Sequence, residues 1–549
     1  MLDKIKNIVK GEVGSSEKEL ALFSHDASIF EVKPSLIVHP KDTEDVKNLV
    51  KWVSQNKNSD VELSLTARSG GTDMTGGTLN NSIVLDFTTH FNKILNVEDA
   101  PPHAIVEPGV FYRDFEKETL SKDLLLPSYP ASREICTVGG MVANDSGGEK
   151  SLRYGKTENY VEELNVVLSD GEEYVFKSLT PEELEQKKLQ DNFEGEIYRQ
   201  MHDLLELNHE LIQKAKPNVS KNSAGYLLWN VCPPAQAGNG KKFDLTRLFT
   251  GAQGTLGVIT KIKFRLIKPN KYSRLLIIFL RDLNNLGEVI NMVNKNKPES
   301  FESYDDHTFK LAIKILPDLI RKIGVSALFR FIPDVWKIIT GGIPKMVMLV
   351  EFTGDEEVEL IDRIKKYQKE ISDKFKIKTR ITKNENDARK YWIIRRESFN
   401  LLRKRVKGKK TAPFIDDLIV RPEYLPEFLP KLNEILKQYK DYMIYTIAGH
   451  PGDGNFHIIP LMDLDEKSKK IIPELSEKVY GLVLEYHGSI TAEHNDGLIR
   501  TPYLEKMYGS EVYKLFEKTK QIFDPKNIFN PRKKVGTDIG YAMDHIRKN

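Results

Sequence analysis

Residues 66–86 read TARSGGTDMTGGTLNNSIVLD, a glycine-rich loop that closes on a run with the look of an alternating strand. Gly70, Gly71, Gly76 and Gly77 stand among small hydroxyl residues, so backbone N–H groups can approach a diphosphate with no Cβ in the way. The loop is not a P-loop: the position that should hold Lys before Thr78 holds Gly77, and no helical pattern follows. No GxGxxG follows a strand and opens a helix, so a Rossmann dinucleotide site has no support. Taken alone, these residues suit a phosphate cradle and a surface loop equally.

Far downstream, residues 446–460 read TIAGHPGDGNFHIIP. Apolar, β-branched runs flank a turn in which Pro451, Gly452 and Gly454 forbid a helix, so a hairpin should bring His450 and His457 face to face. Glu493 in GSITAEHNDG supplies a carboxylate and is followed at once by His494. Two histidines and one carboxylate make a ligand set for a divalent metal: zinc first, with manganese or iron as alternatives. On spacing alone the histidines could equally be turn scaffolding, with Asp453 and Asn455 as turn formers.

At 549 residues the chain exceeds a single core, and about two to three domains are expected. Two cysteines, Cys136 and Cys232, cannot hold an iron–sulfur cluster that needs four thiolates, so any electron acceptor must be external. A net charge of +3 gives no sign of a nucleic-acid partner. The first residues, MLDKIKNIVKGEVGSS, are helix-like and lack an apolar signal core, which makes a cytoplasmic location the expectation. PSLIVHPKDTEDVKNLVKWVSQN reads as strand, turn and helix, the helix starting at Asp42 or Thr43. Residues 315–345 are apolar and basic but too interrupted to span a bilayer. They suit either peripheral contact with the inner face of a membrane or a pair of packed helices.

The ordered runs TARSGGTDMTGG, EPGV (107–110), PSYPASREICTVGGMVANDSGG (127–148), SLRYGKTENYVEELNVVLSDGE (151–172) and FTGAQGTLGVITKIKFRLIKP (249–269) resemble the FAD-binding domain of the vanillyl-alcohol oxidase and p-cresol methylhydroxylase superfamily. GHPGDGNFH, GSITAEHNDG and the closing IFDPKNIFNPRKK resemble its D-2-hydroxyacid dehydrogenase branch. The resemblance implies an α+β architecture: a two-subdomain FAD-binding domain over 1–270, an antiparallel-sheet substrate cap covered by helices over 271–487, and a segment, 488–549, returning to the FAD domain.

It also implies roles. FAD contacts fall on Arg68, Ser69, Gly70, Gly71, Thr72, Thr75, Gly76 and Gly77; on Pro130, Thr137, Gly139, Gly140, Ala143, Asn144, Gly147 and Gly148; and on Tyr154, Gly155, Gly257, Val258, Ile259 and Asn530. FAD should be noncovalent, since Gly71-Thr72-Asp73 offers no attaching His or Cys. His450, His457 and Glu493 map onto the metal ligands and His494 onto the base. In WIIRRESFN, Arg396 takes the place of the arginine that binds substrate carboxylate, and Asn222 and Tyr226 in PNVSKNSAGYLLWN are further candidates for substrate contact. Where D-2-hydroxyglutarate dehydrogenases have a lysine before an aromatic and aspartate, this chain has APFIDDLIV with Ile415 before Asp416, so a second, distal carboxylate lacks its expected partner. Asn495 stands in for a glycine, and asparagine tolerates a left-handed backbone there.

The expected reaction is oxidation of a small D-2-hydroxyacid, with electrons passed to a quinone, a cytochrome or an electron-transfer flavoprotein, and a homodimer is the candidate assembly. Two alternatives share the resemblance: an alkyl-dihydroxyacetonephosphate synthase-like transferase, and a noncatalytic flavoprotein subunit. The metal hairpin argues against the first and the complete set of four site residues against the second.

Overall fold

The computed structural model describes residues 1–232, 242–306, 308, 343–405 and 408–548, with residues 396–405 as backbone only. Residues 309–342, most of the basic apolar segment, lie outside the described residues, and so does the membrane contact proposed for it.

Three sheets organise the described residues. The first is four-stranded, in the order Glu12–Gly14, Leu36–His39, Ile83–Asp86, Leu65–Arg68, and its last three strands are parallel. Helix Thr43–Asn56 connects two of them; Asp42 caps it, its side chain accepting the Asp45 N–H, and Val46, Leu49, Val50 and Val53 are its buried face. Ile83–Asp86 is buried at every residue, so the run read as alternating is a central parallel strand covered on both sides. The second sheet is antiparallel, in the order Ile94–Asp99, Pro102–Val106, Val258–Arg265, Val161–Val167, Glu173–Lys177.

The third sheet has eight strands and is antiparallel throughout. Its central strands are Tyr272–Leu280, Met346–Gly354, Ser300–Asp305, Met443–His450 and Asn455–Met462. Alternate residues of each strand serve opposite faces. Leu276, Ile278, Met348, Phe456 and Ile458 join a core with helices Leu286–Asn294, Glu357–Phe375, Leu425–Lys437 and Ser468–Glu485. Leu275, Ile277, Tyr304, Val347 and Leu349 pack on the other face against Tyr391 and Ile394 of helix Glu385–Arg405. Burial on both faces explains why the strand reads as an unbroken apolar run, LLIIFL.

After helix Ser468–Glu485 the chain runs back to the first sheet. Leu65 donates its N–H to the Ile528 carbonyl and accepts the Asn530 N–H, so the tail lies beside strand Leu65–Arg68.

Candidate active site

The hairpin forms as its sequence dictates. Strands Met443–His450 and Asn455–Met462 pair in a register that sets His450 opposite Asn455 and Ala448 opposite His457. Both histidines therefore lie on one face, diagonally related, but their rings meet edge-on at 85° with centroids 5.2 Å apart rather than face to face. The turn needs Gly454, whose φ is +76° and whose missing Cβ would lie 1.8 Å from the Val420 carbonyl oxygen.

Glu493 completes the group. Its Oε1 lies 3.2 Å from His450 Nε2 and 3.4 Å from His457 Nε2. The other nitrogen of each ring is held by a second carboxylate: His450 Nδ1 lies 2.5 Å from Glu302, and His457 Nδ1 lies 3.2 Å from Asp416. Imidazoles oriented in this way present Nε2 for a metal, a carboxylate–histidine arrangement common around bound ions. Asp416 also reaches His494, with its Oδ2 2.9 Å from Nδ1, and the His494 ring stacks on His457 at 5.0 Å and 26°.

The next acid, Asp417, gathers with His457, Glu493 and His494 within 4.8 Å. Its Oδ2, however, already accepts the Thr491 hydroxyl and the N–H groups of Ala492, Glu493 and His494. We read it as the anchor of the ligand segment. Asn495 follows at φ +71°, the left-handed conformation anticipated, and its side chain donates to the Asn144 and Gly251 carbonyls.

Lys221, fully buried, places Nζ 3.0 Å from Asp453 and 3.3 Å from Glu493, tying the turn between the histidines to the carboxylate. Among the described residues of this cluster the buried carboxylates are Glu302, Asp416, Asp417, Asp453 and Glu493, and the cations Lys221, Arg395 and Arg500. With neutral imidazoles this leaves two negative charges, which a divalent cation would balance. Burial opposes the charged imidazole of His457, yet Asp416 raises its pKa to about 10. Burial likewise opposes the charge on Glu302, while His450 and Arg395 hold its carboxyl down at about 2. The donor set therefore fits a divalent metal.

A cavity of about 720 Å³, within the range of cofactor sites, joins this cluster to the glycine loops. Of the residues assigned to FAD, Arg68 through Thr72, Gly77, Pro130, Thr137, Gly139, Gly140, Ala143, Asn144, Gly147, Gly148, Gly257 and Ile259 line it. Thr75, Gly76, Tyr154, Gly155, Val258 and Asn530 are not in its wall. Asn530 braces the loop from behind, donating to the Gly77 and Gln253 carbonyls, and the Tyr154 hydroxyl donates to Glu299. Within the loop, Asp73 accepts the N–H groups of Thr75 and Gly77, so Gly77 offers no free donor, and a Cβ there would lie 2.4 Å from the Gln253 amide nitrogen.

Glu302, Trp392, Arg395, His450, His457, Ile459, Glu493 and His494 also line the cavity, and Asn144 of the glycine segment donates to the Glu493 carbonyl. Arg395 lies in the cavity wall, its Nε 3.0 Å from Glu302. Arg396 follows on the same helix, and its side chain lies outside the described residues. Tyr226 is buried with its hydroxyl 2.7 Å from Thr255, and Asn222 bonds Ser489 and Tyr508; neither reaches the cavity. Sequence reading missed Glu302, Lys221, Trp392 and Ile459, and it missed the bridging part played by Asp416. For Asp416 the available signal was Asp416-Asp417 inside an apolar run, because acids buried in such company need partners, while Trp392 and Lys221 stood inside the quoted runs WIIRRESFN and PNVSKNSAGYLLWN.

Comparison with known proteins agrees with this architecture. Residues 34–177 match an FAD binding domain and residues 269–534 the C-terminal domain of FAD linked oxidases. The chain is 27% identical over 538 residues to a D-2-hydroxyglutarate dehydrogenase of Pseudomonas putida, covering 97% of this chain and 51% of that protein, so it spans about half the length of that relative. It is 26% identical to glycolate oxidase subunit GlcD of Bacillus subtilis, covering 94% of this chain and 92% of that one. A solved alkyldihydroxyacetonephosphate synthase superposes with a TM-score of 0.65 at 14% identity, over 95% of this chain and 82% of that one, a likeness of fold alone. The chain belongs to the FAD-linked oxidases of the vanillyl-alcohol oxidase and p-cresol methylhydroxylase superfamily.

Proposed function

We propose that this protein oxidises a D-2-hydroxyacid to the 2-oxoacid and passes the electrons to an external carrier. The supporting observation is the shared cavity, lined both by glycine loops and by His450, His457, Glu493, His494 and Arg395. FAD, when bound, supplies the two-electron acceptor for the C2 hydride, and a divalent ion at His450, His457 and Glu493 would supply a Lewis acid for the C2 hydroxyl. The chain's own residues bind, orient and deprotonate. Arg395, fixed by Glu302, binds the substrate carboxylate with a planar guanidinium. His494 takes the hydroxyl proton on Nε2, while Asp416 beside Nδ1 sets the tautomer and stabilises the imidazolium that forms. The C2–H bond breaks with its electron pair leaving as hydride, the C2–O bond becomes a carbonyl, and the proton stays on His494.

The same reading divides the chain at residues 270 and 487, keeps FAD noncovalent and leaves the carrier's class open among quinone, cytochrome and electron-transfer flavoprotein. No helix among the described residues is long and apolar enough to cross a membrane. The decisive experiment is anaerobic mixing of the flavoprotein with D- and L-2-hydroxyacids while following flavin absorbance. Bleaching by D-isomers and not by L-isomers is expected; absence of bleaching by every 2-hydroxyacid of either hand would overturn the reading.

A further inference from the structure

His457 and Ile459 sit two residues apart on strand Asn455–Met462, so both side chains leave the same face of the sheet, and both line the cavity. Trp392 and Arg395 sit three residues apart on helix Glu385–Arg405, so they share a helix face, and both line it too. A metal-ligating histidine is thus paired with an isoleucine one step along the strand, and the carboxylate-binding arginine with a tryptophan about one turn along the helix. Trp392 is packed on the apolar cluster of Leu275, Ile277, Tyr304 and Ile394, with Ala448 beside it.

A 2-hydroxyacid held with its carboxylate at Arg395 and its C2 oxygen toward the histidines must run its remaining carbons along the next surface in reach. The indole and the isoleucine are apolar side chains that share a helix face with Arg395 and a strand face with His457 in the cavity wall. The described wall holds two other arginines, each engaged away from Trp392 and Ile459: Arg68 donates to the Phe23 and His25 carbonyls, and Arg133 pairs with Glu116 and Glu134, whereas Arg395 pairs with Glu302 of the cluster itself. Phe414 and Ile415, which stand where a distal-carboxylate lysine and aromatic would fall, are buried in the sheet's core.

We propose that Trp392 and Ile459 form the subsite for the substrate's C3 substituent and select 2-hydroxyacids with one carboxylate and an apolar tail over dicarboxylates. The inference rests on the proposed 2-hydroxyacid oxidation. It departs from the substrate in the name of the Pseudomonas putida relative, because a second carboxylate would be desolvated against indole and isoleucine with no partner among the described residues. Lengthening an apolar tail by a methylene gains roughly tenfold in such a pocket until it is filled.

The test is kcat/KM for the flavoprotein with D-lactate, D-2-hydroxybutyrate, D-2-hydroxyisocaproate, D-malate and D-2-hydroxyglutarate, together with the Ile459→Lys variant. In the parent protein the apolar-tailed acids should exceed both dicarboxylates by at least about tenfold. Ile459→Lys, with flavin content unchanged, should move that ratio toward D-2-hydroxyglutarate by a similar factor. A parent that turns over D-2-hydroxyglutarate as well as the apolar acids overturns the subsite and leaves the oxidation of 2-hydroxyacids standing. A fully flavinated Ile459→Lys protein with an unchanged ratio overturns the assignment to Ile459. Failure of every acid to bleach the flavin removes the functional reading and this inference together.

Discussion

Asp416 is the residue through which the proposed ligand and the proposed base are joined: one carboxylate reaches Nδ1 of His457 and Nδ1 of His494. Substitution should separate the duties proposed for the two histidines. His494→Ala should keep metal and FAD while flavin reduction slows by about 10²- to 10⁴-fold, the usual range for loss of a positioned general base. His450→Ala, His457→Ala and Glu493→Ala should each lower bound metal, since one donor in three is gone. Elemental analysis beside stopped-flow bleaching checks both, and a His494→Ala protein that reduces its flavin at full rate refutes the assignment. In WIIRRESFN two neighbouring arginines look alike; Arg395, three residues after Trp392, lies in the cavity wall, and the side chain of Arg396 lies outside the described residues.

The ligand hairpin was legible as an element because turn chemistry and β-branched runs are local signals. Its dependence on Gly454 is stronger than spacing suggested, since a left-handed φ and the Val420 carbonyl both exclude a side chain. Gly454→Ala should cost more than the ~1–2 kcal/mol of a left-handed L-residue, because the backbone must also move away from Val420. Thermal unfolding and metal content should fall together, as the turn spaces the two histidines. A variant with the parent's melting temperature and full metal would contradict this account. Strand Ile83–Asp86 shows the opposite case: four residues carry too little pattern to distinguish a half-exposed strand from one buried between two layers.

Across the whole molecule, the C-terminal segment is tied in by buried charge as well as by its bridge to Leu65. Lys534, with no exposed side-chain surface, donates Nζ to the Ser223 and Gly225 carbonyls and lies 2.9 Å from Asp496, itself fully buried. Lys534→Met leaves the Asp496 carboxylate without its cation and should cost about 3–5 kcal/mol. Lys534→Met with Asp496→Asn should recover part of the loss, since no uncompensated charge remains. Denaturant unfolding followed by flavin release measures both, and a single variant as stable as the parent would show that the pair contributes nothing.

The sequence by itself determined the local devices: a glycine loop without Cβ atoms, a two-histidine hairpin, and a carboxylate adjoining a third histidine. These lie within about twenty residues each and follow from backbone sterics and turn chemistry. Tertiary structure alone decided that they share one cavity, and which buried charges serve them. Lys221 and Glu493 are 272 residues apart, Arg395 and Glu302 are 93 apart, and Asp416 and His457 are 41 apart. No periodicity records such pairs. A buried charge must find a partner, but the stacking of sheets and the face of one helix choose which partner it finds.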